Sequence, residues 1–348
     1  MYANHSLPNI VMPAEWERQD AIIVAWPHFG TDWGPMLDEA HACFMQVAQA
    51  IVKNQRLVIV APAINQLKQK LSALDNDMII YQEIETNDTW ARDFAPISII
   101  AGNERRMLDF KFDAWGMKFA AFLDNLISRR MAANGIFDAQ FVNCQDFVLE
   151  GGSIESDGKG TLLTTSRCLL SPNRNSALTQ QQIEDVLHTR LGVHKVLWLN
   201  HGELKGDDTD AHIDTLARFA PGNTILYVSC DNPYDEQYHS LKLMEEELKS
   251  MTNAQGEPFK LVPLPSPNPI FDDNRERLPA TYANFLITNE QVLVPIYGQS
   301  SNDQLALDTI QQVFDDRDIV GIDCNALIKQ HGSLHCITMQ IPENFLNK

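Results

Sequence analysis

No apolar run in this chain of 348 residues approaches the length of about eighteen that a membrane span needs, which excludes a helical membrane protein. Met1 to Trp16 show neither a basic start nor an apolar stretch of signal-peptide length, so a cytoplasmic location is expected. Cysteine is sparse: Cys43, Cys144, Cys168, Cys230, Cys324 and Cys336 form no C-x-x-C pair and no dense framework. That excludes a disulfide-stapled scaffold and makes reduced thiols the expectation. Positive charge is also scarce, with 27 lysines and arginines against 46 acidic residues, a net charge of -19 and a pI near 4.8. Such a surface opposes a nucleic-acid backbone and draws in amines or guanidines, although acidity also serves plain solubility. Low-complexity tracts and long charge blocks are absent, and the only Pro-rich stretch, 262–269, reads as a long loop.

What is present is the composition of a soluble globular protein, 44% hydrophobic and 21% charged. The length suits one large domain or two ordinary ones. Short apolar runs at 21–26, 57–61, 147–149, 224–228 and 291–296 read as strands. Stretches 36–53, 65–74, 118–131, 179–191, 236–251 and 302–314 read as helices. Strand and helix in alternation define the fold class as α/β. Asp93, Glu150 and His212 follow one another at intervals of about sixty residues, and Cys336 lies at about twice that distance beyond His212. The interval suggests a repeated supersecondary unit in which each copy delivers one side chain to a shared centre; chance spacing is the alternative.

Segment 206–219 gathers Asp207, Asp208, Asp210 and Asp214 around His212 beside an apolar run. Like charges this close raise one another's pKa unless a cation sits among them, and the substrate is expected to supply it. His212 and Asp214, two residues apart, share a face on extended backbone, which suits an acid–base histidine beside a cation-binding carboxylate. The same pair, with Asp208 or Asp210, is the best candidate for a metal site, but H-E-x-x-H is absent and no other histidine has ligand spacing. A glycine-led turn at Gly332 feeds an expected strand that ends at Pro342, with Cys336 near its start. Cys336 is either a nucleophile at a loop-to-strand junction or an inert buried thiol. His335 is expected to point away from it, so that its partner imidazole comes from elsewhere. Trp90 and Asp93, in a loop closed by Pro96, would offer a flat apolar face and a bidentate partner for a guanidinium, or else a core tryptophan and a local pair with Arg92. Glu150 ends an apolar strand before Gly151 and Gly152, either as a buried perturbed carboxylate or as the first loop residue.

Taken together, a cysteine, a histidine and three carboxylates around a planar cation describe hydrolysis at a guanidinium. The chain resembles the agmatine deiminases, grouped with bacterial peptidylarginine deiminases in the guanidino-modifying pentein superfamily. The resemblance is carried by 12–16, 90–93, 149–153, 157–161, His212-Ile213-Asp214, 278–285 and 335–338. It implies one deiminase domain over 1–348, folded as a five-bladed α/β propeller with pseudo-fivefold symmetry and a central active site. It implies Cys336 as nucleophile, His212 as general acid and base, Glu150 as a carboxylate working with the histidine, Asp93 and Asp214 as guanidinium clamps and Trp90 as a pocket wall. No metal and no other cofactor is implied. The implied partner is a small cationic guanidino substrate, with no nucleic acid and no membrane, and a homo-oligomer is compatible with it. The implied reaction is that of an agmatine deiminase-type hydrolase of linear amidines, giving N-carbamoylputrescine and ammonia through an amidino-cysteine. The sequence departs from the family at Gln330-His331-Gly332-Ser333, Ala211 and Ala95, each beside the expected substrate. Peptidyl-arginine, free arginine or methylarginine is therefore the alternative substrate. A catalytically silent polyamine-binding protein and a metal hydrolase are the readings from other classes.

Overall fold

The computed structural model describes residues 9–74 and 76–347; the expectation about the first sixteen residues falls partly outside them, at 1–8. The chain is a mixed α/β structure whose strands form five sheets among the described residues. Every sheet holds the same kernel: a first strand pairs antiparallel with a second, and the second pairs parallel with a third reached through a helix. The kernels run 97–101, 104–111 and 140–148; 154–156, 161–165 and 195–199; 217–220, 224–228 and 260–264; 286–287, 291–296 and 318–323. In the fifth, Thr338–Pro342 from the far end of the chain pairs antiparallel with Gln19–Ala25, which pairs parallel with Arg56–Ala61. Outer strands Ile10–Val11 and Ile79–Glu83 extend two of the sheets.

Each crossover helix forms for reasons visible in its sequence. Leu37–Ile51 buries Ala40, Phe44, Val47, Ala48 and Ile51, a helical stripe that faces the sheet. Gln180–Leu191 begins at a capping box between Thr179 and Gln182 and ends at Gly192 in the left-handed region. The apolar runs read as strands are all strands, with 147–149 being only the end of Gln140–Val148. Val24 and Ile59, for example, are fully buried, as expected of parallel strands covered on both faces. No helix among the described residues is long and apolar enough to cross a membrane.

Two expectations are corrected. The Pro-rich stretch is not wholly loop, because Lys260–Leu264 is a strand. It lies at a sheet edge, where Pro263 need donate nothing to a neighbour. The helix expected over 118–131 is confined to Ile127–Ala133 after a short 3-10 turn. Upstream, Ala114, Trp115, Gly116 and Met117 all have positive φ, which cannot propagate into a right-handed helix.

Side chains from distant parts of the chain are tied by buried charge. Arg218, fully buried, donates from Nε to Glu155, from Nη2 to Glu15 at 2.6 Å and from Nη1 to the Phe285 carbonyl at 2.5 Å. The pair of acids would be left uncompensated without it. Arg218→Met is accordingly expected to lower stability by about 3–5 kcal/mol, and adding Glu155→Gln to recover part of the loss, as read by chemical denaturation.

Candidate active site

The segment that leads into the first strand of each kernel supplies the centre of the molecule. Asp93 comes before Ile97, Glu150 before Ile154, His212 and Asp214 before Ala217, Asn284 before Leu286, and Cys336 before Thr338. These junctions meet. Asp93 Oδ1 accepts the Gly152 N–H at 2.9 Å and lies 3.7 Å from His212 Nδ1. His212 Nε2 is 3.6 Å from Glu150 Oε2. Cys336 Sγ is 3.8 Å from Asp214 Oδ2 and 3.4 Å from Asn284 Oδ1. The spacing in the sequence thus reflects one repeated unit, and Asn284 is the copy that it did not reveal.

Local backbone differs from expectation while delivering the same side chains. Asp93 sits in the one-turn helix Ala91–Phe94, and Asp214 in the 3-10 turn Ile213–Thr215, with only His212 extended. The turn still sends His212 and Asp214 to one place. A Cβ built on Gly152 would lie 2.7 Å from His212 Nδ1, 2.9 Å from Asp93 Oδ1 and 3.1 Å from Asp214 Oδ2. Gly152 is therefore space for the three groups, whereas Gly151 makes room for the Arg92 carbonyl, 2.1 Å from such a Cβ. Arg92 turns away from Asp93 and donates to Gln340 Oε1 at 2.6 Å, and the local Arg92–Asp93 pair does not form.

Electrostatics separate these groups. Burial pushes the Asp93 carboxyl up to about 6, and Asp214 and Glu150 add to that against the pull of His212. Burial opposes the charged His212, yet Asp93 and Glu150 hold its pKa well above that of a free imidazole. Glu150 is fully buried, but Arg174 Nε donates to both its oxygens, at 3.0 and 2.8 Å, and with His212 keeps it below the usual range. Burial would raise Asp214 as well, and its bond with His335 lowers it. The Cys336 thiol is pushed well up, by burial and then by Asp214 and Asp93. Among the described residues, the buried atoms without a hydrogen-bond partner include two from these groups, His212 Nε2 and Asp214 Oδ1. Such atoms are costly unless a ligand meets them.

A cavity of about 190 Å³ opens onto Cys336 and Asp93. Its walls are aromatic, with Trp90 tilted against Trp33 at 5.7 Å and edge-on to Trp115 at 6.5 Å, and with Phe119 at the mouth. Trp115 Nε1 donates to Asp93 Oδ2 at 2.9 Å. Gly332 lets Trp90 lie where it does, since a Cβ there would sit 2.2 Å from the indole. Asp32, Asp88 and Asp208 also line the cavity, and no arginine or lysine does among the described residues. Burial pushes both Asp88 and Asp208 up to about 6, with nearby aspartates adding to it.

The acidic segment is only partly short of cations. Asp210 pairs with Arg174 at 2.7 Å and with Lys118 at 3.0 Å, and Asp214 with His335 at 2.8 Å, so the protein itself supplies these partners. Asp207 accepts the Ala211 N–H at 2.7 Å. Asp208 is left facing the cavity. The departures from the family also separate: Gln330 and His331 line the cavity, Ala211 is buried with a φ of 64°, and Ala95 follows the short helix without lining the cavity. Among the described residues, two mixed clusters have atoms within 4.8 Å of one another, Glu150–Cys168–His212 and Glu15–Glu155–His335. Neither is the His212–Asp214 pair, and each already holds a guanidinium, from Arg174 or Arg218, that opposes a metal ion.

Trp115, Arg174, Asn284 and His335 belong to this centre and were not singled out as site residues from sequence. Asn284 and His335 lie inside motifs 278–285 and 335–338, whereas nothing local marks Arg174. Gly152→Ala is expected to place its methyl among His212, Asp93 and Asp214, lowering kcat by about a hundredfold or more while costing about 1–3 kcal/mol of stability. Steady-state rates beside denaturation curves check this; near-normal turnover would contradict the convergence.

The family model of Porphyromonas-type peptidyl-arginine deiminase matches residues 11–342. A solved protein of Porphyromonas gingivalis, described as "Putative Arginine Deiminase", is 49% identical with a TM-score of 0.92, over 97% of this chain and 100% of that one. A substrate-bound agmatine deiminase of C. jejuni is 37% identical with a TM-score of 0.89, over 95% and 96%. A curated relative from Marinomonas sp. (strain MWYL1), named "Putative agmatine deiminase", is 33% identical over 99% of this chain and 97% of its own length. With the match running through every junction that builds the centre, the chain belongs to the Porphyromonas-type peptidyl-arginine deiminase family.

Proposed function

We propose that the protein hydrolyses the guanidinium group of agmatine to N-carbamoylputrescine and ammonia. The observation that carries the substrate is the cavity's charge: Asp32, Asp88, Asp93 and Asp208 line it, with no lysine or arginine among the described residues. A molecule with a guanidinium at one end and an ammonium at the other complements such walls. Arg92 and Arg218, the candidates for holding a free α-carboxylate, are buried outside the cavity walls, Arg92 donating to Gln340 and Arg218 to Glu15 and Glu155. Relatives named as agmatine deiminases support the same reading.

Asp93 and Asp214 clamp the guanidinium between Trp90 and Cys336, and the unpartnered Asp214 Oδ1 receives one of its N–H groups. The cation offsets the negative field of Asp93 and Asp214, lowering the pKa of the Cys336 thiol. The thiolate attacks the central carbon, His212 gives a proton to the departing ammonia, and an amidino-cysteine remains. His212 then takes a proton from water, which adds to the same carbon; the C–S bond breaks, and the ureido product leaves as the thiol is restored. Glu150 steadies the charge on His212, and its own charge is held by Arg174. No metal enters this scheme.

Residues 1–348 act as one deiminase domain, and the five kernels are its propeller blades around the central site. What supports the propeller is their common strand order and the contacts among all five junctions. A peptidyl- or free-arginine substrate is the second reading, favoured by the P. gingivalis relative. Ammonia release from agmatine, arginine, a blocked arginyl peptide and dimethylarginine separates the two. The expected result is turnover of agmatine, an amidino adduct on Cys336 by mass spectrometry and loss of turnover in Cys336→Ser. Undiminished ammonia release from Cys336→Ser would refute the mechanism.

A further inference from the structure

We propose that His335 is a positioning residue that fixes the Asp214 carboxylate, so that its Oδ1 stays aimed at the guanidinium. Residues 334–337 form a turn rather than a strand, so the expected alternation of His335 and Cys336 does not hold: both side chains reach Asp214 Oδ2, the imidazole at 2.8 Å and the thiol at 3.8 Å, and His335 is fully buried. Its Nδ1 lies 2.8 Å from Asp214 Oδ2 and its Nε2 lies 2.8 Å from Glu15 Oε2. Asp214 Oδ1 has no hydrogen-bond partner among the described residues, and Oδ2 meets the Cys336 thiol only at 3.8 Å, so the imidazole at 2.8 Å is what sets the torsion of that carboxylate. A free carboxylate would rotate Oδ1 into the thiol side or away from the cavity.

The imidazole is itself held at both ends. Glu15 receives the Ile287 N–H at 2.8 Å on Oε1 and Arg218 Nη2 at 2.6 Å on Oε2. The backbone N–H of His335 donates to Asn284 Oδ1 at 2.8 Å. The segment around Glu15, which precedes the strand Gln19–Ala25, therefore reaches the reacting centre through one ring. Asp214 lies one layer behind the cavity wall, 3.8 Å from Cys336 Sγ, and His335 and Glu15 lie successively beyond it. The role is to keep Asp214 in near-attack geometry, where a displacement of about 1 Å costs about a hundredfold in rate.

This inference rests on the clamp role given to Asp214 above. Two variants separate the ends of the ring. The amide nitrogen of asparagine falls near the position of Nδ1, and that of glutamine near Nε2. His335→Asn thus keeps a donor to Asp214 and loses the one to Glu15, and His335→Gln does the reverse. The expected result is kcat/KM within about tenfold of the unaltered protein for His335→Asn and a loss of about a hundredfold for His335→Gln, at similar melting temperatures. Equal activities of the two, or the opposite order, would overturn the proposal. Neutron diffraction of the unaltered protein tests it without any variant: a deuterium on Nδ1 directed at Asp214 supports it, and a bare Nδ1 overturns it. If the unaltered protein turns over none of the guanidines, the function fails while the neutron result still decides the role of His335.

Discussion

Buried negative charge at the centre of the molecule is the constraint on which the rest depends. Glu15, Glu155, Glu150 and Asp214 are each buried, and each is met by a cation or an imidazole from a different part of the chain: Arg218 for the first two, Arg174 for Glu150, His335 for Asp214. Removing one partner from such a set leaves a charge that water cannot reach, which is why these contacts define which kernels sit together. Asp88, Asp93 and Asp208 are the exceptions. Burial of their carboxyls outweighs the hydrogen bonds and positive groups around them, His212 beside Asp93 included, so each is pushed up to about 6, and all three line the same cavity. Asp124, pushed up to about 8 by burial, also lacks a cation but is met by the Asn87 and Asp88 N–H groups away from the cavity, so the shortage at the cavity is the one that adjoins the thiol.

The repeated kernel explains how a site can be assembled from residues more than two hundred positions apart. Each junction before a first strand is short, leaves regular hydrogen bonding for a residue or two and points inward. One-turn helices and 3-10 turns at Ala91–Phe94, Gly151–Ser153 and Ile213–Thr215 serve equally well. Precision then comes from cross-links between junctions rather than from the junctions themselves. The Asp93–Gly152 hydrogen bond, the Trp115–Asp93 bond and the contact of Cys336 with Asn284 each join different parts of the chain.

Much of this was legible in the sequence, and what was not has a common cause. Alternating apolar runs gave the α/β class, since buried parallel strands such as 57–61 and helical stripes such as that of 37–51 leave distinct periods. The motif residues Trp90, Asp93, Glu150, His212, Asp214 and Cys336 were visible as polar groups set hard against apolar segments, and the structure brings them together. Arg174 was invisible because an arginine in a turn has no pattern that tells which acid it will meet. His335 escapes a reading by strand alternation because the chain is a turn at 334–337, where the imidazole meets Asp214 and Glu15 while the neighbouring thiol meets Asp214 as well. The helix expected from Lys118 failed because the residues before it enter the left-handed region, held there by the Asp113–Gly116 hydrogen bond and by Trp115 reaching Asp93.

The most direct test of the account is calorimetric titration of agmatine into the Cys336→Ser protein near pH 6, in two buffers of different ionisation enthalpy. Asp88, Asp93 and Asp208, each pushed up to about 6, are partly protonated there in the free protein. A bound cation lowers their pKa values, so binding must release protons, and affinity must rise with pH until these groups are ionised. The account predicts net proton release near pH 6 that fades as the pH rises above the carboxyl range. Agmatine binding with no proton exchange, or with proton uptake, would contradict the claim that the ligand supplies the missing charge.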